Sequence, residues 1–258
     1  MDLGLKNKVA VVTGSSRGIG KGIALGLAQE GCNLVICARG KELLEETASE
    51  VKKYDVKILP IVLDITQAGT ESELFDQSIK QFGKIDILVN NAGGNKRNQF
   101  VDTLDEDWHD IFELNFNSHM RISKKFANEM KKQGSGSIIF ISSIFGREAG
   151  GTGLSVYNSS KSAMISMAKI MALELAKENV RVNCVAPGSI KFPGGSWDKR
   201  CINDPQGMEE FVKNNMPIGR FGKVEEVANV VSFLASERAS LVTGTCINVD
   251  GGQSRSLI

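Results

Sequence analysis

The sequence predicts a single α/β domain: a doubly wound, mostly parallel seven-stranded sheet with helices on both faces. Three observations carry this expectation. Seven short apolar runs alternate with longer amphipathic stretches, the rhythm of strand–helix–strand crossovers. Several of the runs are rich in Val and Ile with little period-two alternation, as expected of strands covered on both faces. No Pro- or Ser-rich linker divides the chain, so residues 1–258 read as one domain.

The elements follow in order. Val9–Val12 is the first strand candidate, and Ile19, Ile23 and Leu27 then recur every four residues, one face of a helix. Further strand candidates are Leu34–Cys37, Ile58–Leu63, Ile85–Val89, Ser137–Ile141, Val180–Val185 and Cys246–Val249. Helical periodicity runs through 41–54, 71–82, 105–132, 155–178 and 223–235. The stretch at about 190–216 fits neither period and reads as an irregular excursion.

Composition excludes several classes. Lys and Arg total 31 and Asp and Glu 30, a formal net charge of +1, so no broad attraction to nucleic acid or membranes is expected. There is no apolar run of about 18 residues to span a bilayer. The opening "MDLGLKNKVA" lacks the apolar core of a signal peptide. The five cysteines (Cys32, Cys37, Cys184, Cys201 and Cys246) are odd in number and contain no CxxC spacing, and only two histidines are present. Reduced thiols in a cytoplasmic protein are expected, with neither a disulfide framework nor a metal site. His109 and His119 have no matched ligands nearby and are assigned no chemistry.

Chemistry enters at Thr13-Gly14-Ser15-Ser16-Arg17-Gly18-Ile19-Gly20, between the first strand and the first helix. Glycines there permit a tight turn and a close approach of backbone to a pyrophosphate, and free N–H groups at the helix start face it. In dinucleotide folds an acid about 20 residues further on binds the ribose of NAD, whereas an arginine accommodates the 2′-phosphate of NADP. Here the end of the second strand reads Ala38-Arg39, and Arg17 stands inside the loop. Two guanidinium groups in reach of one phosphate favour NADP(H); the competing account makes both arginines solvated surface residues.

Three later segments complete the pattern. "LVNNAGG" (Leu88–Gly94) and "IIFISSIFG" (Ile138–Gly146) end strand candidates, and "SVYNSSKSAM" places Tyr157 and Lys161 four residues apart on one helix face. Together with Asp64-Ile65, Asn115 within "ELNFNS", Pro187-Gly188 and "VDGG" (Val249–Gly252), they stand in an order and spacing that resembles the short-chain dehydrogenase/reductase family over residues 5 to 255.

The resemblance implies a Rossmann fold and assigns roles position by position. Tyr157 is implied as the general acid/base, Lys161 as its activator and a ribose contact, Ser143 as the holder of the substrate oxygen and Asn115 as the support of a proton-relay water. Cofactor contacts are implied at Gly14, Ser16, Arg17, Gly18, Ile19, Gly20, Arg39, Asp64, Ile65, Asn91, Ala92, Gly93, Tyr157, Lys161, Pro187, Gly188 and Ile190, with no metal. Tyrosine ordinarily titrates near about 10. An ammonium at Lys161, aided by an oxidised nicotinamide, is expected to favour the phenolate. A shift of about three units corresponds to roughly 4 kcal/mol. Phe192 stands where the family usually has a threonine that helps to place the carboxamide.

The expected activity is NADP(H)-dependent hydride transfer between the nicotinamide and a carbonyl or secondary alcohol, with a 3-oxoacyl thioester leading. A sugar, polyol or other secondary alcohol is the alternative within this class, and a non-catalytic dinucleotide-binding sensor the alternative outside it. Residues 192–216 are expected to form a lid hinged at Gly194-Gly195, with Phe192 and Trp197 either covering an apolar substrate portion or serving a packed loop. Lys96, Arg97 and Arg147 read as surface charges rather than anchors for an anionic substrate. The basic run "RISKKFANEMKK" reads as a solvated face, with acyl carrier protein as the partner it would otherwise meet. The resemblance further implies a homotetramer through 105–132, 155–178 and the terminal "SRSLI".

Overall fold

A computed structural model describes residues 2–257. Seven strands, β1 (Val9–Thr13), β2 (Asn33–Ala38), β3 (Ile58–Val62), β4 (Ile87–Asn90), β5 (Gly136–Ile141), β6 (Val180–Pro187) and β7 (Cys246–Val249), form one sheet. Its order is β3-β2-β1-β4-β5-β6-β7, and every pairing is parallel. The order reverses between β1 and β4, the place where doubly wound sheets open a crevice at the carboxyl ends of their strands.

The helices are α1 (Gly18–Gln29), α2 (Lys41–Val51), α3 (Thr70–Phe82), α4 (Asp105–Phe112), α5 (Ser118–Gln133), α6 (Ser155–Leu175), α7 (Ser196–Asn203), α8 (Pro205–Asn215) and α9 (Val224–Ala235). Alternate strand residues point to opposite faces, and each face has its own core. On one, Ile23 and Leu27 of α1, Leu44 and Ala48 of α2 and Val227 and Val231 of α9 pack with Ala10, Val12, Leu34 and Ile36. On the other, Leu74 of α3, Phe126 of α5 and Met164 of α6 pack with Val11, Val35, Leu88 and Ile138. Among the described residues no helix is long and apolar enough to cross a membrane.

Two expectations need correction. The run 105–132 is helical throughout but not uniformly α-helical: Glu113–Asn117 is a π-turn that joins α4 to α5, centred on the buried Asn115. The turn lets the Asn115 amide reach the backbone of Gly94, where its Oδ1 accepts from the N–H (2.9 Å) and its Nδ2 donates to the carbonyl (3.0 Å). Nor is 190–216 irregular. It folds as α7 and α8, broken at Asp204-Pro205, where the Asp204 carboxylate accepts from the Gly207 N–H (2.9 Å) and proline fits the first turn. Trp197 packs against Phe211 (4.8 Å between ring centroids) and Phe221 (5.3 Å), with the Arg200 guanidinium over its face. Trp197 is therefore packed within this segment's own aromatic cluster.

Candidate active site

The carboxyl ends of β1, β4, β5 and β6 lie side by side and carry the site. Thr13 ends β1 and its Oγ1 accepts from the N–H groups of Asn91 (2.9 Å) and Ala92 (3.2 Å) beyond β4. Asn91 returns the contact: its Nδ2 donates to the carbonyls of Thr13 (2.9 Å) and Gly14 (3.1 Å). The Asn91 side chain thus clamps the glycine loop through its amide nitrogen. Sequence reasoning did not single out the Thr13 hydroxyl, although it stands inside the quoted motif.

The loop requires its glycines for definite reasons. Gly14 (φ +65°) and Gly18 (φ +58°) adopt backbone that side chains rarely tolerate. A Cβ on Gly20 would stand 2.3 Å from the Gly14 carbonyl oxygen. Arg17 precedes α1 in extended conformation, and no side chain caps that helix end. An uncapped helix N-terminus at this edge of the sheet suits a phosphate. The Phe192 ring covers the loop from outside, 2.6 Å from where a Gly18 Cβ would stand. It offers no hydroxyl to a carboxamide.

At the adenosine end Arg39 is 72% exposed, and its guanidinium lies 3.8 Å from the Asp64 carboxylate. The other Asp64 oxygen accepts from the Thr66 N–H (3.0 Å) and hydroxyl (2.8 Å), which holds the pair at the end of the sheet. Ile65 and Ile190 turn their side chains into the two cores, so only their backbones face the crevice edge. Pro187 ends β6, and the Gly188 N–H donates to the Val249 carbonyl (3.1 Å). Gln253, another residue the sequence did not mark, fixes the next position: its Oε1 accepts from the Ser189 N–H (2.8 Å), and its Nε2 donates to the Ser189 Oγ (2.9 Å).

Asn115, Ser143, Tyr157 and Lys161 converge. Ser143 begins a short 3₁₀ turn and its Oγ accepts from the Phe145 N–H (3.2 Å), leaving its own proton to donate. That hydroxyl lies near enough to the Tyr157 hydroxyl to lower its titration. The neighbouring Ser142 turns away, donating to the Lys161 carbonyl (3.1 Å). The Lys161 ammonium lies 5.9 Å from the centre of the Tyr157 ring and donates to the Ile141 carbonyl (2.9 Å). A Cβ built on Gly93 would be 3.2 Å from Asn115 Oδ1 and 3.4 Å from Lys161 Nζ, so glycine there leaves bare space beside both polar groups. Ser160 completes the arrangement: it receives the Asn115 Nδ2 (3.0 Å) and donates to the Tyr157 carbonyl (2.8 Å), tying the π-turn to α6.

Burial holds the Tyr157 hydroxyl above its ordinary range in the cofactor-free protein, and Ser143 offsets this only in part. The Lys161 ammonium lies on the ring side of Tyr157 with one proton directed to Ile141 O. Lys161 is itself pushed down to about 8 by burial. His119, one turn beyond Asn115, is fully buried. Burial and the nearby Lys161 push it down to about 3, so it is neutral at working pH. The Ala92 carbonyl approaches its ring, yet neither nitrogen closes a hydrogen bond.

The basic side chains are occupied. Lys96 pairs with Asp107 and Asp110 (both 2.8 Å), Arg97 donates to the Thr152 carbonyl (3.0 Å), and Arg147 donates to the Cys246 carbonyl (2.9 Å) and Asn248 Oδ1 (2.7 Å). On α5, Arg121 pairs with Glu113, and Lys125 meets Asp76 (4.0 Å) and the Phe75 ring. These charges meet partners within the chain, the surface reading of both clusters.

A family model described as enoyl-(acyl carrier protein) reductase matches residues 14–254. A 3-oxoacyl-[acyl-carrier-protein] reductase from Thermotoga maritima is 38% identical over 248 residues, 96% of this chain and 98% of that one. The crystal structure of L-sorbose reductase from Gluconobacter frateurii, in complex with NADPH and L-sorbose, superposes with a TM-score of 0.94 at 35% identity, covering 100% of both chains. A 7α-hydroxysteroid dehydrogenase in complex with NADH and a 7-oxo bile acid superposes with a TM-score of 0.91 at 33% identity, covering 100% of this chain and 98% of that one. These relatives share the sheet and differ in substrate and cofactor. The chain belongs to the short-chain dehydrogenase/reductase family and is one of its oxidoreductases.

Proposed function

We propose that the protein is an NADP(H)-dependent carbonyl reductase acting on a 3-oxoacyl thioester. The observation that carries the reaction class is the meeting of the Tyr157 and Ser143 hydroxyls beside Lys161, next to the glycine loop. The likeness to the Thermotoga reductase favours the thioester. A second reading, a sugar or polyol dehydrogenase, draws on the likeness to the sorbose reductase. A non-catalytic sensor would not need all four converging side chains, so the turnover measurement decides against it or for it.

The residues suit a dinucleotide. Gly14, Ser16, Arg17, Gly18, Ile19 and Gly20 would hold the pyrophosphate at the α1 N-terminus, and Asp64 with the Ile65 backbone the adenine. Arg39 and Arg17 would share the 2′-phosphate. Asn91, Ala92 and Gly93 wall the crevice, while Pro187, Gly188 and the Ile190 backbone would face the nicotinamide end, with Phe192 as an apolar cover. When bound, the nicotinamide supplies or accepts the hydride. In the reducing direction the Tyr157 hydroxyl gives its proton to the carbonyl oxygen as the new C–H bond forms. The Ser143 O–H donates to the same oxygen as its charge develops. The Lys161 ammonium stabilises the phenolate left on Tyr157, which regains its proton from water. Asn115 holds Gly94 and, through Ser160, the backbone of Tyr157 in register.

The pH dependence follows from Lys161. Its proton is lost through about pH 8 in the cofactor-free protein, whereas Tyr157 stays protonated there because burial raises it. The kcat/KM for reduction, which reports the free enzyme, should be level below that pH and fall above it. A profile that rises through the same range would contradict the assignment.

Arg39→Asp tests the cofactor. It removes a guanidinium and sets a second carboxylate beside Asp64. The NADPH-to-NADH ratio of kcat/KM should fall at least about tenfold, the worth of one charge-assisted hydrogen bond. An unchanged ratio removes Arg39 from the 2′-phosphate site.

The segment 190–216 is proposed as the substrate lid, with α7 and α8 moving as one body about Gly194-Gly195. A homotetramer is proposed through α5 and α6, whose Met120, Ile170 and Leu173 are exposed. The tail is tied down where the Glu148 carboxylate accepts from the N–H groups of Arg255 (2.9 Å) and Ser256 (3.0 Å); Ile258 lies outside the described residues. A cytoplasmic setting is proposed from the cysteine usage. The carrier of the acyl group, coenzyme A or acyl carrier protein, is decided by the substrate panel described in the Discussion.

A further inference from the structure

Five cysteines lie outside the chemistry described so far, and two of them meet. Cys184 in β6 and Cys246 in β7 are direct partners in the strand register. Aligned partners in a parallel ladder project to the same face, and both side chains join the apolar cluster beneath α6. Neighbouring strands stand about 4.8 Å apart, within the roughly 4.4–6.8 Å between Cα atoms that a disulfide spans. The two thiols influence one another's titration, Cys246 lowered and Cys184 raised. Cys184 is buried, whereas Cys246 is only partly buried and so the more accessible of the two to a small oxidant.

We propose that Cys184 and Cys246 form a peroxide-sensitive thiol pair, a modification site in which a hydroperoxide joins β6 to β7 through a disulfide. The charged groups around the pair assign the order of events. Arg147 reaches over β7 to the Cys246 carbonyl and Asn248, which brings a guanidinium to Cys246. The neighbouring Cys184 thiol and then the Arg147 charge hold Cys246 below the usual thiol range, while Cys246 and then burial hold Cys184 above it. Lys161 is the other cation facing the pair, from α6. The two buried cysteines elsewhere are inert by comparison: burial pushes Cys32 and Cys37 up to about 12.

The chemistry balances. The Cys246 thiolate attacks one oxygen of the peroxide, the O–O bond breaks, and the departing hydroxide takes a proton to become water. Cys246 is then a sulfenic acid. The Cys184 sulfur, giving up its proton, attacks the Cys246 sulfur, and the S–O bond breaks with loss of a second water. Two thiols are oxidised by two electrons, and one peroxide is reduced. Dithiothreitol reverses the product by thiol–disulfide exchange.

The test uses the full-length protein, treated with hydrogen peroxide in small excess, alkylated and mapped by mass spectrometry without reduction. The expected product is one intramolecular cross-link between the Cys184 and Cys246 peptides, lost on adding dithiothreitol. In Cys184→Ser the reaction should stop at Cys246 sulfenic acid and be trapped there by dimedone. The inference is overturned if all five thiols survive peroxide that oxidises free cysteine, if Cys201 is the residue modified, or if Cys246 links only to another copy of the chain. The wild-type map decides the matter even if the variant does not fold.

Discussion

Replacing Tyr157 by phenylalanine should lower turnover about 10²–10⁴-fold, the usual contribution of a placed general acid. The phenol oxygen stands beside the Ser143 hydroxyl, which lowers its titration. The ring rests against Lys161 and keeps its packing without the hydroxyl. NADPH binding and melting temperature should therefore change little, while kcat falls. Since the substrate is held mainly by other groups, the loss belongs in kcat and not in KM. Isothermal calorimetry with NADPH beside steady-state kinetics separates the two. A variant that retains near wild-type kcat would remove Tyr157 from the reaction.

Gly20→Ala should severely weaken dinucleotide binding. The added methyl would stand 2.3 Å from the Gly14 carbonyl oxygen and 2.4 Å from Asn91 Nδ2. The first obstacle is backbone, which cannot rotate aside, and the second is the clamp that holds the loop against β4. Relief requires α1 to move away from β1, so the phosphate site widens at the helix start. Forced overpacking of this kind costs about 1–3 kcal/mol, and a 1 Å displacement in a site can cost about 10² in rate. NADPH affinity measured by fluorescence should weaken at least about a hundredfold while the melting temperature falls. Retained affinity would show that the loop does not bear on the phosphates.

Much of this arrangement could be read before the fold was known. The strands were legible because a strand buried on both faces must be apolar throughout, and Val9–Thr13 and Ile138–Ile141 have no other environment open to them. The glycine loop was legible because positive φ at Gly14 and Gly18 restricts the residue type. The π-turn at Asn115 was not, since every residue from Asp105 to Gln133 suits a helix and only the reach to Gly94 demands the wider turn. The helices α7 and α8 were hidden because their apolar residues serve one another, Trp197 against Phe211 and Phe221, rather than the sheet. The Asp204-Pro205 start with Gly207 was a signal that went unused. The contact of Lys161 with Ile141 was illegible for a different reason: four-residue spacing sets Tyr157 and Lys161 on one face, but the carbonyl that takes a Lys161 proton comes from β5.

The most direct measurement is NADPH consumption, followed by its near-ultraviolet absorbance, against 3-oxoacyl thioesters of coenzyme A and acyl carrier protein, ketoses and cyclic ketones, repeated with NADH. The account predicts turnover with NADPH, fastest on a 3-oxoacyl thioester and slower with NADH. Binding of NADPH with no reduction of any carbonyl in the panel would contradict it.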